Sequence, residues 1–468
     1  MKILILGAGR VGESVAESLL SERNDITVID TDPVRLRALQ DRMDLRGVVG
    51  NGIQPSVLRD AGADDTDMLI ACAPADETNL VVCKIAHDLF NVPTTIARLR
   101  SNEFDERPEL LGKQGFAVDK VLHPEGSVTA YIRKLIEYPE ALQVLEFAHG
   151  LVSLIAVRAV AGGPLVQHTL AETPRLVPGV DMRIVAIYRQ DQALPQLGGE
   201  TRVEPGDEVF VLAATEHIRT VLGALRKMDR PVKRVMIAGG GKVGLRLARE
   251  IAGRYQVKII EPDRARCDYL ATSLPSEVLV LHGDATDEDL LGDEGVEDLD
   301  LFLALTSDDE DNIMACLLAK RMGARRVLAL INRRAYADLV QGTQIDIALS
   351  PAQTVIGELL AHVRRGDVEA VYSLRRGAAE ALEAVAHGDR KSSKVVGRRI
   401  EELPLPSGAQ IGAIVRRVRD GDGGEPQVIM PHHDTLIETG DHVIVFVPRK
   451  RMVREIEKLF QVGATFLF

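Results

Sequence analysis

The sequence predicts an α/β protein in which two doubly wound, parallel-sheet domains are each followed by a small α+β domain. Three observations predict it. The pattern G-x-G-x-x-G occurs twice, at Gly7, Gly9 and Gly12 and again at Gly239, Gly241 and Gly244, 232 residues further on. Around both copies, short β-branched runs alternate with amphipathic helical stretches, the signature of βαβ units and a parallel sheet. Beyond each of these regions lies a segment of different texture, and those two segments match each other. The expected order is A-B-A-B, with domains at 1–140, 141–228, 232–368 and 369–460.

The elements repeat in order. "ILIL" from Ile3 and "VMIA" from Val235 read as first strands running into the glycines. Val11, Val15 and Leu19 then recur at i, i+4 and i+8, as do Val243, Leu247 and Ile251, so a helix follows each turn. "ITVIDTD" (Ile26 to Asp32) matches "VKIIEPD" (Val257 to Asp263) as second strands. Helices "LVVCKIAHDLF" and "IMACLLAKRMG", fifth strands "TTIARLR" and "RVLALIN", and sixth strands "FAVDKVLHP" and "IDIALSP" complete six-stranded units. The final proline of each suits a helix start. In the B segments "TRVEPGDEVFVLAAT" matches "TLIETGDHVIVFVPR", and Pro-Gly-Asp or Thr-Gly-Asp marks a turn between two strands. Closing helices follow at "IRTVLGALRK" and "MVREIEKLF". The basic run "RKMDRPVKR" (Arg226 to Arg234) reads as a solvated linker between the halves.

Composition narrows the function. A chain of 468 residues implies several domains, and 46% hydrophobic with 27% charged residues implies a folded, soluble one. Tryptophan is absent, aromatics are 4% and the net charge is −12, so no nucleic-acid partner is expected. No apolar stretch suffices for a bilayer span, and the first residues read as a strand rather than a signal peptide. Cys72, Cys83, Cys267 and Cys316 form no C-x-x-C and read as buried thiols in a reducing cytoplasm. "PHHD" (Pro431 to Asp434), with no cysteine nearby and only His442 downstream, reads as a turn, so no metal site is expected. There is no P-loop, and the B segments present no His, Lys or Tyr in the context a dehydrogenase needs, so no catalytic residue is expected.

Both glycine patterns lie between strand and helix, with an acid ending the second strand. Asp30 follows Gly12 by 18 residues and Glu261 follows Gly244 by 17, close to the ~20 of the Rossmann dinucleotide fingerprint. Gly7 allows a tight turn, Gly9 lets the backbone approach a pyrophosphate, and Gly12 lets helix and strand pack closely. The helix N-terminus offers free N–H groups to phosphates. The acid would accept ribose hydroxyls and repel a 2′-phosphate, favouring NAD over NADP. Arg98 and Arg100 end the fifth strand of copy one, where guanidiniums suit a polyphosphate or pair with surface acids.

The motifs "GAGRVG" with "ITVIDTD", "AGADDTDMLIA", "DETN", "IARLR", "YPEALQVLEFA", "GGGKVG", "HGDATD", "RRAYADLVQG" and "IDIALSP" together resemble the tandem-RCK (KTN) regulatory subunits of Trk-type potassium-uptake systems, over essentially the whole chain. The resemblance implies that the A segments are RCK N-terminal, Rossmann-like domains and the B segments RCK C-terminal domains. It implies that NAD(H), ATP and ADP bind the former, ATP favouring ion flux and ADP opposing it. It implies a cytoplasmic homo-oligomer, a tetramer, lying peripherally on the inner face of the membrane on a potassium-translocating subunit of the TrkH or TrkG type. Residue by residue, it implies a first site with Gly7, Ala8, Gly9, Arg10, Val11 and Gly12 at the phosphates, Asp30 at the ribose, Ala73 and Pro74 on the loop after strand four, and Arg98 and Arg100 on phosphates. The second would use Gly239, Gly240, Gly241, Lys242, Val243 and Gly244, with Glu261 on the ribose and Asp284 nearby. Leu330 and Asn332 stand there in place of the two arginines, so the second site is expected to prefer NAD-type ligands or stay empty. The resemblance also implies that the helices carrying Val128, Ile132, Leu135 and Ile136, and Val355, Leu359 and Val363, cross to a neighbouring domain. The competing reading is a nicotinamide-dependent oxidoreductase, which turnover of NADH with a small substrate would favour. A third is a scaffold that uses one site only.

Overall fold

Parallel pairing begins where the β-branched runs lie. A computed structural model describes the chain apart from positions 21, 23, 102, 105, 191, 228–229, 341–343, 364–367, 376–377, 418–424 and 463–468, and the side chains at 334, 338, 353 and 355. In the first A segment β1 (Lys2–Leu6), β2 (Asp25–Asp30), β3 (Arg46–Val49), β4 (Met68–Ala71), β5 (Thr94–Arg98) and β6 (Lys120–Leu122) form a parallel sheet in the order β3-β2-β1-β4-β5-β6. Helices α1 (Arg10–Leu20), α2 (Pro33–Gln40), α3 (Asp76–Phe90) and α4 (Pro124–Glu137) are its main crossovers and exit. Ile3, Leu4 and Ile5 of β1 are buried, as a strand covered on both faces requires.

The smaller first sheet comes next. β7 (Ala141–Phe147), β8 (Val152–Arg158), β9 (Met182–Arg189), β10 (Gln192–Ala193) and β11 (Glu208–Ala214) run antiparallel in the order β10-β9-β11-β8-β7, closed by α5 (Ile218–Leu225). The second A segment repeats the first with β12 (Arg234–Ala238), β13 (Gln256–Glu261), β14 (Leu279–His282), β15 (Leu301–Ala304), β16 (Val327–Leu330) and β17 (Ile347–Leu349), ordered β14-β13-β12-β15-β16-β17. Its helices include α6 (Lys242–Ile251), α7 (Arg264–Ser273), α8 (Asp309–Arg321) and α9 (Pro351–Val363). The second small sheet, β18 (Val368–Leu374), β19 (Ala379–Val385), β20 (Gln410–Arg417), β21 (Pro426–Ile429) and β22 (His442–Val447), ends in α10 (Val453–Phe460).

Two expectations need correcting. The strand expected before each Gly-Asp turn shrinks to isolated bridges, Val166 to Val203 and Thr169 to Arg202 in copy one and Arg399 to Leu436 in copy two. Arg100 also lies beyond β5, which ends at Arg98.

Chain order is A-B-A-B, but like packs with like. Met1–Ala130 and Arg234–Leu359 form one unit; Tyr131–Lys233 and Leu360–Phe468 form the other. In the first unit the Ser127 hydroxyl on α4 donates to Glu358 on α9, joining the two A segments. In the second, Phe147, Phe210 and Leu212 share a core with Leu374, Ala413 and Phe446. The Phe147 and Tyr372 rings meet edge-to-face at 5.0 Å. Val128, Ile132, Leu135, Ile136, Leu359 and Val363 are all buried within this one chain; the side chain of Val355 is outside the described residues. All four cysteines are buried and free. Among the described residues no helix is long and apolar enough to cross a membrane.

Candidate functional site

The two sheet orders reverse direction between β1 and β4 and between β12 and β15, and ligands of such sheets bind outside the strand ends at that point. There β1 runs into Gly7, which adopts the left-handed φ of +104°, with Cys72 O 3.0 Å from where a Cβ would stand. A Cβ on Gly12 would overlap the Gly7 carbonyl oxygen, so only glycine lets α1 start this close to the strand. A Cβ on Gly9 would meet nothing within 4 Å: this bare stretch of backbone faces open space. Copy two repeats all three, with Gly239 at φ +104°, Gly244 against the Gly239 carbonyl and Gly241 open. The first N–H groups of α1 and α6 have no intrahelical partners, which suits a phosphate.

The acids are held before any ligand arrives. Asp30 accepts the Ala8 N–H at 2.6 Å and the Asp32 N–H at 2.8 Å, one on each oxygen. Glu261 does the same with Gly240 at 2.8 Å and Asp263 at 3.1 Å. Each carboxylate oxygen keeps a lone pair, so a ribose hydroxyl can still be accepted by a group already fixed in orientation. Asp284 is not drawn in: it is exposed and its Oδ1 accepts the Thr286 N–H and hydroxyl, both at 2.8 Å, which lowers its pKa.

Sequence reasoning missed the residues that tie the loops together. Asn79 is fully buried; it accepts the Ala73 N–H at 2.8 Å and donates to Ala73 O at 3.0 Å and Arg98 O at 2.8 Å. Asn312 repeats this with Thr306 and with Leu330 O. Asp76 accepts the N–H groups of Arg100 and Ser101, as Asp309 accepts those of Asn332 and Arg333. The signal was present: "DETN" and "DEDN" recur at matched places in the two copies.

Arg98 is not a free cation. Its guanidinium reaches Glu125 at 3.2 Å, while Arg98 Nε and Glu125 Oε2 are buried with no hydrogen-bond partner among the described residues. Burial pushes the Cys72 thiol up to about 12, the field of Arg98 pulling the other way. Arg100 is exposed at the rim, near Arg35, which the sequence reading did not select. In copy two the counterpart of Arg98, Leu330, is buried, and Asn332 is spent on Asp309.

The two glycine turns open into one cleft of about 530 Å³. Gly7, Gly9, Arg10, Val11, Asp30, Pro74, Arg98 and Arg100 line it from copy one, and Gly241, Lys242 and Val243 from copy two. Arg10 Nη1 stands 3.5 Å from Ser307 O, on the loop after β15, so the first turn touches the second site's wall. Ala8, Gly12, Ala73, Gly239, Gly240, Gly244 and Glu261 are not among the residues that line it. The residues present fit a dinucleotide: bare backbone for the pyrophosphate, an oriented acid for a ribose, and an arginine with an unused donor.

Fold and cleft together define a tandem protein of Rossmann-like domains, each followed by a small antiparallel domain that pairs with its twin. The TrkA-N domain model matches residues 3–124 and 235–351, and the TrkA-C domain model residues 154–226 and 390–461. The chain is 53% identical over 467 residues to the Trk system potassium uptake protein TrkA of Halomonas elongata, covering 100% of both chains. Among solved structures, the GsuK RCK domain aligns with TM-score 0.60 at 17% identity, over 98% of this chain and 94% of that one. The GsuK channel bound to NAD aligns with TM-score 0.59 at 17% identity, over 98% and 78%. The chain belongs to the TrkA family of Trk-system potassium uptake proteins.

Proposed function

We propose that this protein is the regulatory subunit of a Trk-type potassium-uptake system and that nucleotides in the shared cleft set its state. It is a regulator and not an enzyme. The reading gives the four domains the bounds 1–140, 141–228, 232–368 and 369–460. NAD(H), ATP and ADP are the proposed ligands, and a membrane subunit of the TrkH or TrkG type is the proposed partner. The proposed location is the cytoplasmic face of the membrane, as a homotetramer.

One observation carries the reading: both glycine turns face a single cleft that Arg10 spans. A ligand shifts a conformational equilibrium only through different affinities for the two states. A nucleotide seated between two A segments meets both of them, so its affinity depends on how they are spaced. That spacing is a conformational variable a membrane partner can sense. The Gly7, Gly9 and α1 backbone would hold the pyrophosphate, Asp30 a ribose and Arg98 a further phosphate. The GsuK channel, which shares this fold, was solved bound to NAD, and that supports a nucleotide as the ligand of the cleft.

The test is potassium flux in vesicles holding the membrane subunit and the full chain, with ATP, ADP, NAD or NADH added in turn. The expected result is flux raised by ATP and lowered by ADP. Flux indifferent to all four nucleotides sinks the proposal. NADH consumed catalytically in the same vesicles would favour the oxidoreductase instead. A monomer mass by light scattering at micromolar concentration with nucleotide present would remove the tetramer.

A further inference from the structure

A second cluster of chemistry lies in the unit formed by the small domains. Glu369 on β18, Glu383 on β19 and His442 at the start of β22 bring one ligand atom each to within 4.8 Å of one another. His442 Nδ1 is 2.6 Å from Glu383 Oε1 and 3.5 Å from Glu369 Oε2. The register explains the convergence. His442 pairs with Val385, so Glu383, two residues along β19, shares its face. A β-bulge between Val368 and Ala370 turns Glu369 toward that face, as bulges do when they re-aim a side chain.

The first small domain serves as an internal control. It carries the same bulge, between Ala141 and Gln143, and the same strand register. The three matched positions there hold Leu142, Ala156 and Glu208. Glu208 is neutralised by the Arg375 guanidinium. Copy two instead sets two carboxylates on one imidazole, and among the described residues no lysine or arginine forms an ion pair with Glu369 or Glu383. Arg417, exposed on β20, acts on His442 only through its field. Glu383 is 2% exposed, so its charge needs a close partner. One protonated imidazole carries half the charge of the two carboxylates, whereas a dication matches it.

We propose that Glu369, Glu383 and His442 form a binding site for a divalent transition-metal ion of the zinc class. One imidazole nitrogen and two carboxylate oxygens suit zinc and its neighbours; calcium and magnesium take oxygen donors alone. With metal–ligand bonds of about 2.0–2.2 Å, the edge of a tetrahedral site is about 3.3–3.6 Å. The His442–Glu369 separation of 3.5 Å already falls on that edge. His442 and Glu383 would part by under ~1 Å as the ion replaces their hydrogen bond and the Nδ1 proton leaves to solvent. His149, on the turn whose Ala148 N–H already binds Glu383 Oε2 at 2.8 Å, has its ring 6.3 Å from that of His442 and is in reach as a further ligand. The ion would thereby fasten the first small domain to the second.

The test uses the full chain stripped with a chelator and titrated with Co²⁺, whose visible spectrum reports coordination. The expected result is one saturable Co²⁺ per chain with a tetrahedral or five-coordinate spectrum, bleached by Zn²⁺ but not by equal Ca²⁺ or Mg²⁺. His442→Gln and Glu369→Gln should each weaken binding at least about tenfold. Glu208→Gln, the matched position in copy one, should leave it unchanged. Glu369 is exposed at a bulge, so that variant folds even where the His442 variant does not. The octahedral spectrum of hydrated Co²⁺, a band that survives Glu369→Gln, or displacement by Ca²⁺ as readily as by Zn²⁺ would each overturn the proposal.

Discussion

Asn79 offers the sharpest perturbation. It is fully buried and satisfies three backbone groups: the N–H and C=O of Ala73 and the C=O of Arg98. Each such bond contributes about 0.5–1.5 kcal/mol net, and a buried group left unsatisfied costs about 1–3 kcal/mol. Asn79→Ala should therefore destabilise the first A domain by about 2–4 kcal/mol, since the three bonds overlap in what they hold. Asn79→Asp should be worse at pH 7, though it keeps the shape. Its Oδ1 still accepts from Ala73, but the former amide nitrogen becomes an oxygen facing two carbonyl oxygens. The neutral acid is preferred there, so the folded-state pKa rises above the unfolded value of ~3.9. A raised folded pKa means the loss is smallest below that value and grows as pH climbs toward 7. Urea unfolding followed by circular dichroism at pH 4.5 and 7 measures both variants, with calorimetric NAD titration as a second readout. Asn312, with the three matching backbone partners and the Thr306 hydroxyl besides, is the counterpart in copy two. An Asn79→Asp variant as stable as the parent at pH 7 would refute the reasoning.

Asp30→Ala, measured with Glu261→Ala present to silence the second site, should weaken NAD(H) binding by about 1.5–3 kcal/mol, roughly 10- to 100-fold; unchanged affinity in calorimetry removes Asp30 from the site. Arg98→Ala with Arg100→Ala should lose ATP but keep NAD, because the helix end and glycine turn satisfy a pyrophosphate while a further phosphate needs a cation; equal loss of both ligands in the same titration contradicts this. Arg98→Leu alone should impair ATP binding more than Arg98→Leu with Glu125→Ala, since the single change leaves Glu125 facing the phosphates. Strictly additive effects in that double-mutant cycle would count against the Arg98–Glu125 coupling. Native protein should resist maleimide at pH 8 and label only on unfolding, because burial raises the thiols of Cys72, Cys83 and Cys316; rapid native labelling of any of the three contradicts their burial.

What was legible in the sequence is what is local. The spacing of Gly7, Gly9 and Gly12 is a local signal for the turn between strand and helix, and the β-branched runs specify strands buried on both faces, so the fold class and the succession of elements along each A domain follow. The acids followed for the same reason: Asp30 and Glu261 are fixed by the ends of their own strands. What was not legible is how the copies pack. Two identical patterns 232 residues apart say nothing about whether they share a cleft, because that depends on Ser127 meeting Glu358 and Arg10 meeting Ser307 across the pair. The stripe from Val128 to Ile136 was ambiguous in the same way, since periodicity gives a buried face but not what covers it. Arg98 is the instructive case. Counted alone, it is a cation that copy two lacks. In the fold it is one half of a pair with Glu125, and copy two replaces both halves, with Leu330 and Ala352. At that pair of positions the copies differ by a neutral ion pair, and the net difference in charge at the rim comes from Arg100, where copy two has Asn332. Whatever Arg98 adds to a preference for polyphosphate, beside the exposed Arg100, must come from exchanging Glu125 for a phosphate, a competition that only the three-dimensional neighbours reveal.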